Sequence, residues 1–319
     1  MDTKRKIIKS LPYWLIFLLL IVSIQTAAFL YSLNSGNNQF GSPQVLGAST
    51  AIPGVIRGAD ESKAKTISQT KNPDLSSISA QSFLVFDLDS GQELLAKNSG
   101  QRLAIASLTK LMTALTAYNN SNLNQSFKIS NRDALNVKPD LGLINGDEVK
   151  AVDIFNSMLI GSCNDAALAL ADFTSQATGE NFIELMNRQA IALGMANSNF
   201  SNPMGFDSGG NYSTAQDLKF LITATQRLSA FTDLGRRTSY TFTGAEGKTY
   251  FAVATNALIK THPDIQAIKT GYTNEAGGAM ATKVGFGNHQ IVILVLDSQN
   301  RESDTLKLKA AVQSSFDWN

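Results

Sequence analysis

The sequence predicts an α+β fold in which a β-sheet is flanked by helices and accompanied by an all-helical lobe. Three features of the chain beyond residue 78 predict this class. Apolar segments of strand character stand at both ends of the region, helical periodicity dominates its middle, and an amphipathic helix follows the last strand. Two such lobes enclose a cleft, which is a usual place for a binding site.

The folded region is expected to begin near residue 79 with a β-hairpin. Residues 83–86 and 93–95 are largely apolar and flank Asp89, Ser90 and Gly91, a sequence typical of a turn. Helices are predicted over residues 107–119, 151–160, 165–176, 180–193 and 214–229, and a last one from about residue 303. Strands are predicted over residues 240–242, 250–253, 267–268, 279–284 and 291–296. The last strand is continuously apolar, as in a strand that is buried on both faces.

Composition excludes several classes of function. Among 319 residues, 27 Lys and Arg stand against 26 Asp and Glu, a net charge of +1, so no basic surface for nucleic acid is indicated. The single cysteine, Cys163, excludes an intrachain disulfide and a cysteine-based zinc site. His262 and His289 are the only histidines, and neither lies in an H-E-x-x-H pattern. We therefore expect no metal or cofactor, and hydrolytic chemistry without histidine.

The N-terminal residues predict a membrane anchor. Residues 11–33 carry no charge and are mostly apolar, and about 20 such residues span a bilayer. Lys4, Arg5, Lys6 and Lys9 precede them, which predicts a cytoplasmic tail over residues 1–10 and a catalytic domain outside the cytoplasmic membrane. The alternative is a cleaved signal peptide, but its apolar region is usually only about 7–15 residues long.

Residues 34–78 are predicted to form a flexible tether between the anchor and a catalytic domain over 79–319. The tether is rich in Pro, Gly, Ser and Asn, and no charged residue occurs between Lys9 and Arg57. Such a composition favours a flexible linker, which could hold the domain away from the membrane.

The Ser-x-x-Lys pattern is the first of three candidate catalytic motifs. It occurs at residues 62–65, 68–71 and 107–110. Only the third opens an apolar helix, where Ser107 and Lys110 lie on one face and burial can lower the pKa of the lysine until it acts as a base. Taken alone, the motif also fits a helix cap at Ser107 and a solvated lysine.

The second and third motifs lie at boundaries of predicted elements. Ser162 and Asn164 stand between two apolar helices, where they can reach a cleft or simply cap the helices. Cys163 between them is interpreted as a packing residue rather than a nucleophile. Lys269-Thr270-Gly271 follows a short strand, and Gly271 would allow a ligand to approach the backbone closely. A strand end that runs into a turn is the simpler interpretation.

Together and in this order, the three motifs are those of penicillin-binding proteins and class A β-lactamases. Residues 106–114 resemble the first motif of the low-molecular-mass penicillin-binding proteins, the D-alanyl-D-alanine carboxypeptidases of serine peptidase family S11. Residues 162–167 (SCNDAA) are similar to that family's S-G-N-D-A-A, and residues 269–277 (KTGYTNEAG) to its third motif. Shorter similarities lie at residues 186–187, 193–195 and 213–217. The resemblance covers roughly residues 79–319 and implies a β-lactamase/transpeptidase-like fold with an antiparallel sheet.

The resemblance implies an acyl-enzyme mechanism on peptidoglycan stem peptides that end in D-Ala-D-Ala. Ser107 would attack the carbonyl between the two alanines, and neutral Lys110 would take its proton. Ser162 would relay a proton to the leaving amine, and Asn164 would hold the substrate amide. β-Lactams would trap Ser107 as covalent inhibitors.

The third motif would bind the other end of the scissile bond. Lys269 and Thr270 would hold the terminal carboxylate, and cationic Lys269 would help to keep the first-motif lysine neutral. The backbone N–H groups of Ser107 and Tyr272 would form the oxyanion hole. The substrate would pair with the strand edge at residues 267–271, including Gly271, by β-augmentation.

The sequence departs from the family pattern in three places. Cys163 replaces a glycine, Met204 stands where a histidine is common, and the chain stops at Asn319, about where the catalytic domain of the family ends. We therefore expect no C-terminal β-rich domain, and anchoring by residues 11–33 instead.

Three alternatives to a carboxypeptidase remain open. A D,D-endopeptidase that cuts peptidoglycan cross-links would carry the same motifs. A class A β-lactamase would need a deacylating glutamate, and Glu180 and Glu184 lack its E-x-x-x-N pattern. A muropeptide-binding protein without catalysis would have no need of Ser107 and Lys110, which are both present.

Overall fold

The computed structural model describes residues 67–130, 138–207 and 209–318. Its strands are β1 (Ser68–Gln69), β2 (Ser82–Asp87), β3 (Glu93–Lys97), β4 (Ser126–Lys128), β5 (Glu148–Lys150), β6 (Ser239–Thr243), β7 (Thr249–Val253), β8 (Ile265–Thr273), β9 (Gly277–Phe286), β10 (His289–Ser298) and β11 (Phe316–Asp317). Its α-helices are α1 (Thr109–Asn120), α2 (Ala151–Gly161), α3 (Asn164–Thr178), α4 (Phe182–Leu193), α5 (Ala215–Gln226), α6 (Ser229–Thr232), α7 (Leu258–Thr261) and α8 (Arg301–Ser315).

A five-stranded antiparallel sheet with the strand order β3-β2-β10-β9-β8 organises these elements. The predicted hairpin is formed by β2 and β3, and Gly91 in its turn takes a positive φ of 73°. Strand β8 lies at one edge of the sheet, so one of its sides pairs with β9 and the other with no strand of this sheet. An edge strand of this kind can accept an extended peptide.

Strand β10 is buried on both faces, as its continuous apolar run predicts. Val292 and Leu294 belong to the core that lies between the sheet and the helical lobe. Ile291 and Ile293 belong to a second core on the opposite face, where Leu308 of α8 also lies. Because residues alternate between the faces of a strand, one uninterrupted apolar segment supplies both cores. The sheet with helices on both faces confirms the predicted α+β class.

The helical lobe follows the predicted order with small shifts at the ends. The helix predicted from residue 107 begins as a 3₁₀ turn, Ala106–Leu108, and continues as α1. The helix predicted over 214–229 divides into α5 and α6. Strand β8 extends beyond the predicted 267–268 at both ends. The prediction was too short because residues 269–273 are Lys, Thr, Gly, Tyr and Thr, which show no apolar alternation.

The described fold begins twelve residues earlier than the predicted domain, at Ile67. Ile67 is buried, its N–H donates to the Gln92 side chain at 2.9 Å, and Gln92 donates back to its carbonyl at 2.7 Å. The next two residues form β1, which pairs with β11 near the other end of the fold. Residues 67–78 therefore belong to the folded part although their composition resembles that of a linker.

Of the helices in the described residues, none is both long and apolar enough to cross a membrane. The predicted tail, the predicted span over 11–33 and the tether up to residue 66 lie outside the described residues.

Candidate active site

Ser107 lies in the 3₁₀ turn directly before α1, at the edge of the helical lobe that faces β8. Ala106 before it has a φ of 46°, a left-handed backbone conformation that is uncommon for a residue with a side chain. A β-carbon at Gly271 of β8 would lie only 2.8 Å from the Ser107 amide nitrogen. The glycine therefore lets β8 approach the backbone of Ser107 closely. The N-cap residues of this turn and of α1 are Ile105 and Leu108, so Ser107 is not the cap of either element.

Lys110 is fully buried one helical turn after Ser107. Its Nζ lies 3.0 Å from the Ser107 Oγ, 2.8 Å from the Asn164 Oδ1 and 2.6 Å from the backbone oxygen of Met204. Two of these three partners are carbonyl oxygens, which can only accept. A neutral amine that donates its two hydrogens to them keeps its lone pair for the Ser107 hydroxyl.

The electrostatic environment favours this neutral form of Lys110. Burial lowers the pKa of Lys110 to about 7, against the partial opposition of the nearby Cys163 and Asp165. A substantial fraction of the amine is therefore unprotonated at neutral pH. The geometry and the pKa together make Lys110 a competent base for Ser107.

The turn between α2 and α3 carries Ser162 and Asn164. Helix α2 ends at Gly161, and Ser162 takes a left-handed conformation with φ 59° and ψ 26° before α3 begins at Asn164. The Asn164 side chain accepts from Lys110 and donates to the carbonyl of Lys138 at 3.1 Å. This turn thereby brings the second motif against the first.

Lys269 of β8 brings the third motif against the second. It is 2% exposed, and its Nζ donates to the Ser162 Oγ at 2.8 Å and to the Thr270 carbonyl at 2.9 Å. Burial lowers the pKa of Lys269 well below its ordinary value, and the proximity of Lys110 lowers it further. The expectation that Lys269 is cationic therefore depends on a bound carboxylate, which would favour the charged form.

The rest of the third motif lines the edge of the sheet. The Oγ1 atoms of Thr270 and Thr255 are 2.5 Å apart, and the register pairs Thr270 with Met280 and Tyr272 with Gly278. The Tyr272 side chain is 67% exposed, on the edge strand beside the nucleophile. The structure thus brings all eight predicted site residues together where the 3₁₀ turn before α1, the turn between α2 and α3, and β8 meet.

Cys163 is a packing residue in this turn. Its side chain is 2% exposed, and burial raises the pKa of its thiol to about 12. A β-carbon at Gly161 would lie 2.8 Å from the Cys163 Sγ, so the glycine at the end of α2 makes room for the sulfur. The thiol is therefore neutral and enclosed, and it is not a nucleophile in this conformation.

Sequence reasoning missed two residues that shape the site. Asp165 is buried, and its carboxylate accepts from the N–H groups of Leu141 and Leu143 at 3.0 Å, which ties the loop after residue 138 to the Ser162 turn. Arg301 at the start of α8 donates to the Gly271 carbonyl at 2.6 Å. Asp165 belongs to the second motif, so the sequence indicated its position. No pattern around Arg301 indicated that it contacts β8.

Other candidates from the sequence lie elsewhere. His289 lies 3.5 Å from Asp87, and the His262 ring contacts Thr261, so both histidines make their contacts away from Ser107. Glu180 forms an exposed ion pair with Arg188 at 2.7 Å, which is not the position of a deacylating glutamate. The second Ser-x-x-Lys pattern, at residues 68–71, is exposed in and after β1.

A sequence profile of the D-alanyl-D-alanine carboxypeptidase family, peptidase S11, matches residues 66–300. The chain belongs to this family. The resemblance read from the three motifs is confirmed, and the S11 match begins next to Ile67, where the described fold begins.

Known proteins resemble the chain in sequence and in fold. The D-alanyl-D-alanine carboxypeptidase DacF of Bacillus subtilis is 30% identical over 243 residues, which are 74% of this chain and 62% of that protein. The Streptomyces K15 DD-transpeptidase has a TM-score of 0.69 and 27% identity, and the match covers 76% of this chain and 99% of that one. Penicillin-binding protein D2 of Listeria monocytogenes, solved with bound cefotaxime, has a TM-score of 0.62 and 26% identity and covers 74% and 97%. The chain spans about three fifths of the length of the curated relatives that it matches first.

The departure from the S11 pattern at Met204 leaves the contact with the base intact. Lys110 is bound by the backbone oxygen of Met204, so this hydrogen bond does not require a particular side chain at the position. The departure at Cys163 is accommodated by the neighbouring Gly161.

Proposed function

We propose that the protein is a serine-type D-Ala-D-Ala carboxypeptidase that trims peptidoglycan stem peptides through an acyl-enzyme on Ser107. The observation that carries this proposal is the contact between Ser107 and a buried lysine whose other two partners are carbonyl oxygens. A peptidase without histidine needs such a base, and Lys110 has a pKa of about 7.

In the first step the Ser107 Oγ bonds to the carbonyl carbon between the two terminal alanines while its proton passes to Lys110. The N–H groups of Ser107 and Tyr272 stabilise the negative charge on the carbonyl oxygen. One such donor is often worth about 2.7–4 kcal/mol. The absence of a side chain at Gly271 supports this assignment, because it allows β8 to lie against Ser107.

In the second step the carbon–nitrogen bond breaks, and the proton that Lys110 took from Ser107 passes through Ser162 to the leaving amine, so that Lys110 is neutral again. The contact of the Ser162 Oγ with Lys269 at 2.8 Å supports this role, because it places Ser162 beside the residue that binds the carboxylate of the leaving alanine. Water then attacks the ester carbon, the proton of the water returns through Lys110, and Ser107 is released with the shortened peptide.

The terminal carboxylate is held by Lys269 and Thr270 at the edge of the sheet. Both residues line a pocket together with Thr255 and Arg237. A carboxylate in this position restores the charged form of Lys269, because an opposite charge nearby raises a lysine pKa. Asn164 would donate its amide to the substrate backbone in exchange for the carbonyl of Lys138, its partner in the free protein.

The test is release of D-alanine from a peptide that ends in D-Ala-D-Ala by the full-length protein. The same peptide ending in L-Ala-L-Ala should not be cleaved, and Ser107→Ala should abolish both hydrolysis and covalent labelling by fluorescent penicillin. If the Ser107→Ala protein is labelled as strongly as the wild type, the nucleophile is assigned wrongly.

A second substrate, cross-linked muropeptides, distinguishes a carboxypeptidase from the endopeptidase alternative. The names of the curated relatives support carboxypeptidase activity. Cross-linked muropeptides should therefore lose terminal alanine while the cross-link persists, and release of the two monomeric peptides would identify an endopeptidase instead.

We also infer that residues 11–33 anchor the protein in the bacterial cytoplasmic membrane with the catalytic domain outside. The support is the uncharged apolar segment and the four basic residues before it. Protease added to intact spheroplasts should cut between residues 34 and 66 and release a soluble domain. A domain protected from this protease, or a mature chain that lacks residues 1–33, would overturn the inference.

A further inference from the structure

The turn formed by residues 202–206 is shaped by one side chain. The Asn202 Oδ1 accepts from three successive backbone N–H groups, those of Met204 at 3.2 Å, Gly205 at 2.8 Å and Phe206 at 3.1 Å. A single oxygen therefore fixes the direction of the peptide groups that follow Asn202. The peptide group between Met204 and Gly205 contributes both an N–H to Asn202 and the oxygen that contacts Lys110.

This turn is held tightly against the helix of the nucleophile. The Thr113 Oγ1 of α1 donates to the Pro203 carbonyl at 2.7 Å. Gly205 has a φ of 88°, and a β-carbon there would lie 2.0 Å from the backbone oxygen of Ala106. The turn is thus fixed on the same two segments that carry Ser107 and Lys110.

The position of the Met204 oxygen decides what Lys110 can do. At 2.6 Å it is the shortest of the three contacts of the amine. Without this acceptor, one N–H of neutral Lys110 is free to donate to the Ser107 Oγ, which is the opposite of what a base must do. The Met204 oxygen and the Asn164 Oδ1 must therefore each accept one hydrogen of Lys110 for the lone pair to face Ser107.

We propose that Asn202 is a positioning residue for acylation, because it holds the turn 202–206 so that the Met204 oxygen takes one hydrogen of Lys110 and the lone pair faces Ser107. This inference rests on the proposed function, since it assigns a role toward the same base. Asn202 itself acts through the peptide group and not on the substrate.

Three titratable groups lie near Lys110 and must be considered in a pH test. Lys269 lies on the β8 side, and Asp165 and Cys163 lie in and beside the turn at Ser162. None of the three is altered by a substitution at Asn202. A change in the pH profile can therefore be attributed to the turn 202–206.

The test is the second-order rate of acylation by one β-lactam, measured for the full-length protein on both sides of the Lys110 pKa of about 7. Asn202→Ala should lower the rate plateau at high pH by about tenfold or more, because three backbone hydrogen bonds to one oxygen are lost. Its acidic limb should move to lower pH, because an acceptor that favours the charged amine is displaced. Asn202→Asp keeps the acceptor, although it loses the bond from Nδ2 to the Phe206 carbonyl at 3.2 Å, so its plateau should stay within about threefold of wild type. The added negative charge should move its acidic limb to higher pH by on the order of one unit.

Asn211→Ala is the matched control. Asn211 is a second asparagine near this turn, buried where Asn202 is half-buried, and it accepts from the Ser201 N–H at 2.8 Å and donates to the Phe206 carbonyl at 3.3 Å. Its loss should lower the melting temperature and leave the pH profile in place. Equal effects of Asn202→Ala and Asn211→Ala on the acylation rate would show a general loop effect and overturn the proposal.

A second variant protects the test against misfolding. If Asn202→Ala does not fold, Thr113→Val removes the bond to Pro203 with little change of shape and should also lower the plateau. If Asn202→Ala is acylated at the wild-type rate, the positioning role is wrong and the proposed function is unaffected. The same holds for Thr113→Val where it replaces Asn202→Ala. A wild-type protein that no β-lactam acylates contradicts the proposed function instead.

Discussion

At the scale of single residues, the cleft encloses two lysine amines whose roles differ although their surroundings are similar. Lys110 and Lys269 are both buried, and burial lowers the pKa of each. Two neighbouring amines of this kind titrate as a coupled pair, so a proton on one disfavours a proton on the other. The hydrogen-bond partners then decide the roles, because Lys110 contacts the nucleophile and Lys269 contacts Ser162.

Substitution by arginine should separate these roles. Lys110→Arg should lower the acylation rate by about 10²- to 10⁴-fold, because a guanidinium keeps its proton and cannot act as a base. Lys269→Arg keeps a positive charge for the carboxylate and should lose less. The measurement is the acylation rate of each variant with the same β-lactam, with a thermal melt as the control for folding. A folded Lys110→Arg protein that reacts at the wild-type rate, beside an inactive Lys269→Arg protein, would show that the roles are reversed.

Lys110 should also leave a signature in the pH dependence of stability. Its pKa is about 7 in the folded protein and ordinary when unfolded, so between about pH 7 and pH 10.5 the unfolded chain binds more protons. The free energy of unfolding should therefore rise with pH in this window, by up to about 1.4 kcal/mol per pH unit for one proton. Urea unfolding at several pH values should show a smaller slope for Lys110→Met. An unchanged slope would mean that Lys110 is not neutral in the folded protein.

The site residues were predictable where the chemistry requires particular side chains. Ser107, Lys110 and Lys269 stand in recognisable motifs, and in the structure Ser107 contacts Lys110 while Lys269 contacts Ser162. Their partners were not predictable in the same way. The Met204 oxygen belongs to the backbone, which every residue supplies, and Thr255 and Arg301 come from segments without a distinctive pattern.

At the scale of elements, the close approach of β8 to Ser107 requires a glycine at position 271. A β-carbon at Gly271 would lie 2.8 Å from the Ser107 nitrogen and 3.2 Å from the Ile105 oxygen, which are backbone atoms that cannot turn away. The strand would have to move outward to accept it. The spacing between Tyr272 and Ser107 would change with it.

Gly271→Ala should therefore lower the acylation rate by about tenfold to a hundredfold, because a small displacement in a catalytic site is costly. Gly285→Ala in β9 is the matched control, since its β-carbon would come no closer than 3.6 Å to a neighbouring atom. The rates with one β-lactam and the melting temperatures of both variants should be measured together. Equal rates for the two variants would argue against a tight contact between β8 and Ser107.

Helices were easier to predict than the ends of strands. Apolar periodicity located α1 to α5 to within a few residues, because each buries one face against the lobe. Strand β8 was recognised only at its apolar start, since hydrogen bonds to β9, and not its own side chains, define its polar part. The short strands β4 and β5 have three residues each, too few for alternation to be visible.

At the scale of the whole molecule, one carboxylate joins the beginning of the domain to its last helix. Asp304 is 1% exposed and accepts from the Ser79 N–H at 3.0 Å, the Ser79 hydroxyl at 2.7 Å and the Ala80 N–H at 2.8 Å. The Ser298 hydroxyl donates to it at 2.7 Å. The segment before β2, the end of β10 and α8 are thereby held at a single point, which no local pattern in the sequence could reveal.

Asp304 should contribute to stability in a pH-dependent manner. Burial raises the pKa of this carboxyl, but the hydrogen bonds from Ser79, Ser298 and Ala80 outweigh it and hold the pKa below its ordinary value. The contribution is therefore present above the unfolded value of about 3.9 and is lost as pH falls through the lower folded value. Asp304→Asn should lower the free energy of unfolding at neutral pH by about 1.5–3 kcal/mol.

Urea unfolding at neutral and acidic pH checks this expectation. The difference between wild type and Asp304→Asn should shrink on acidification. Asp233→Asn, at an exposed position directly after α6, is the control and should have a small effect at both pH values. A difference for Asp304→Asn that grows toward low pH would reverse the sign of the linkage.

The buried thiol of Cys163 gives experimental access to motions of the site. It is the only thiol in the chain, it is enclosed, and its pKa is about 12, so thiol reagents should not modify the closed protein. The rate at which an aromatic disulfide reagent modifies the native protein then reports how often the turn that carries Ser162 opens. A covalently bound β-lactam should slow this modification without changing the reactivity of the denatured chain. The protein therefore contains an intrinsic reporter for local unfolding at its reactive centre, and no label has to be introduced.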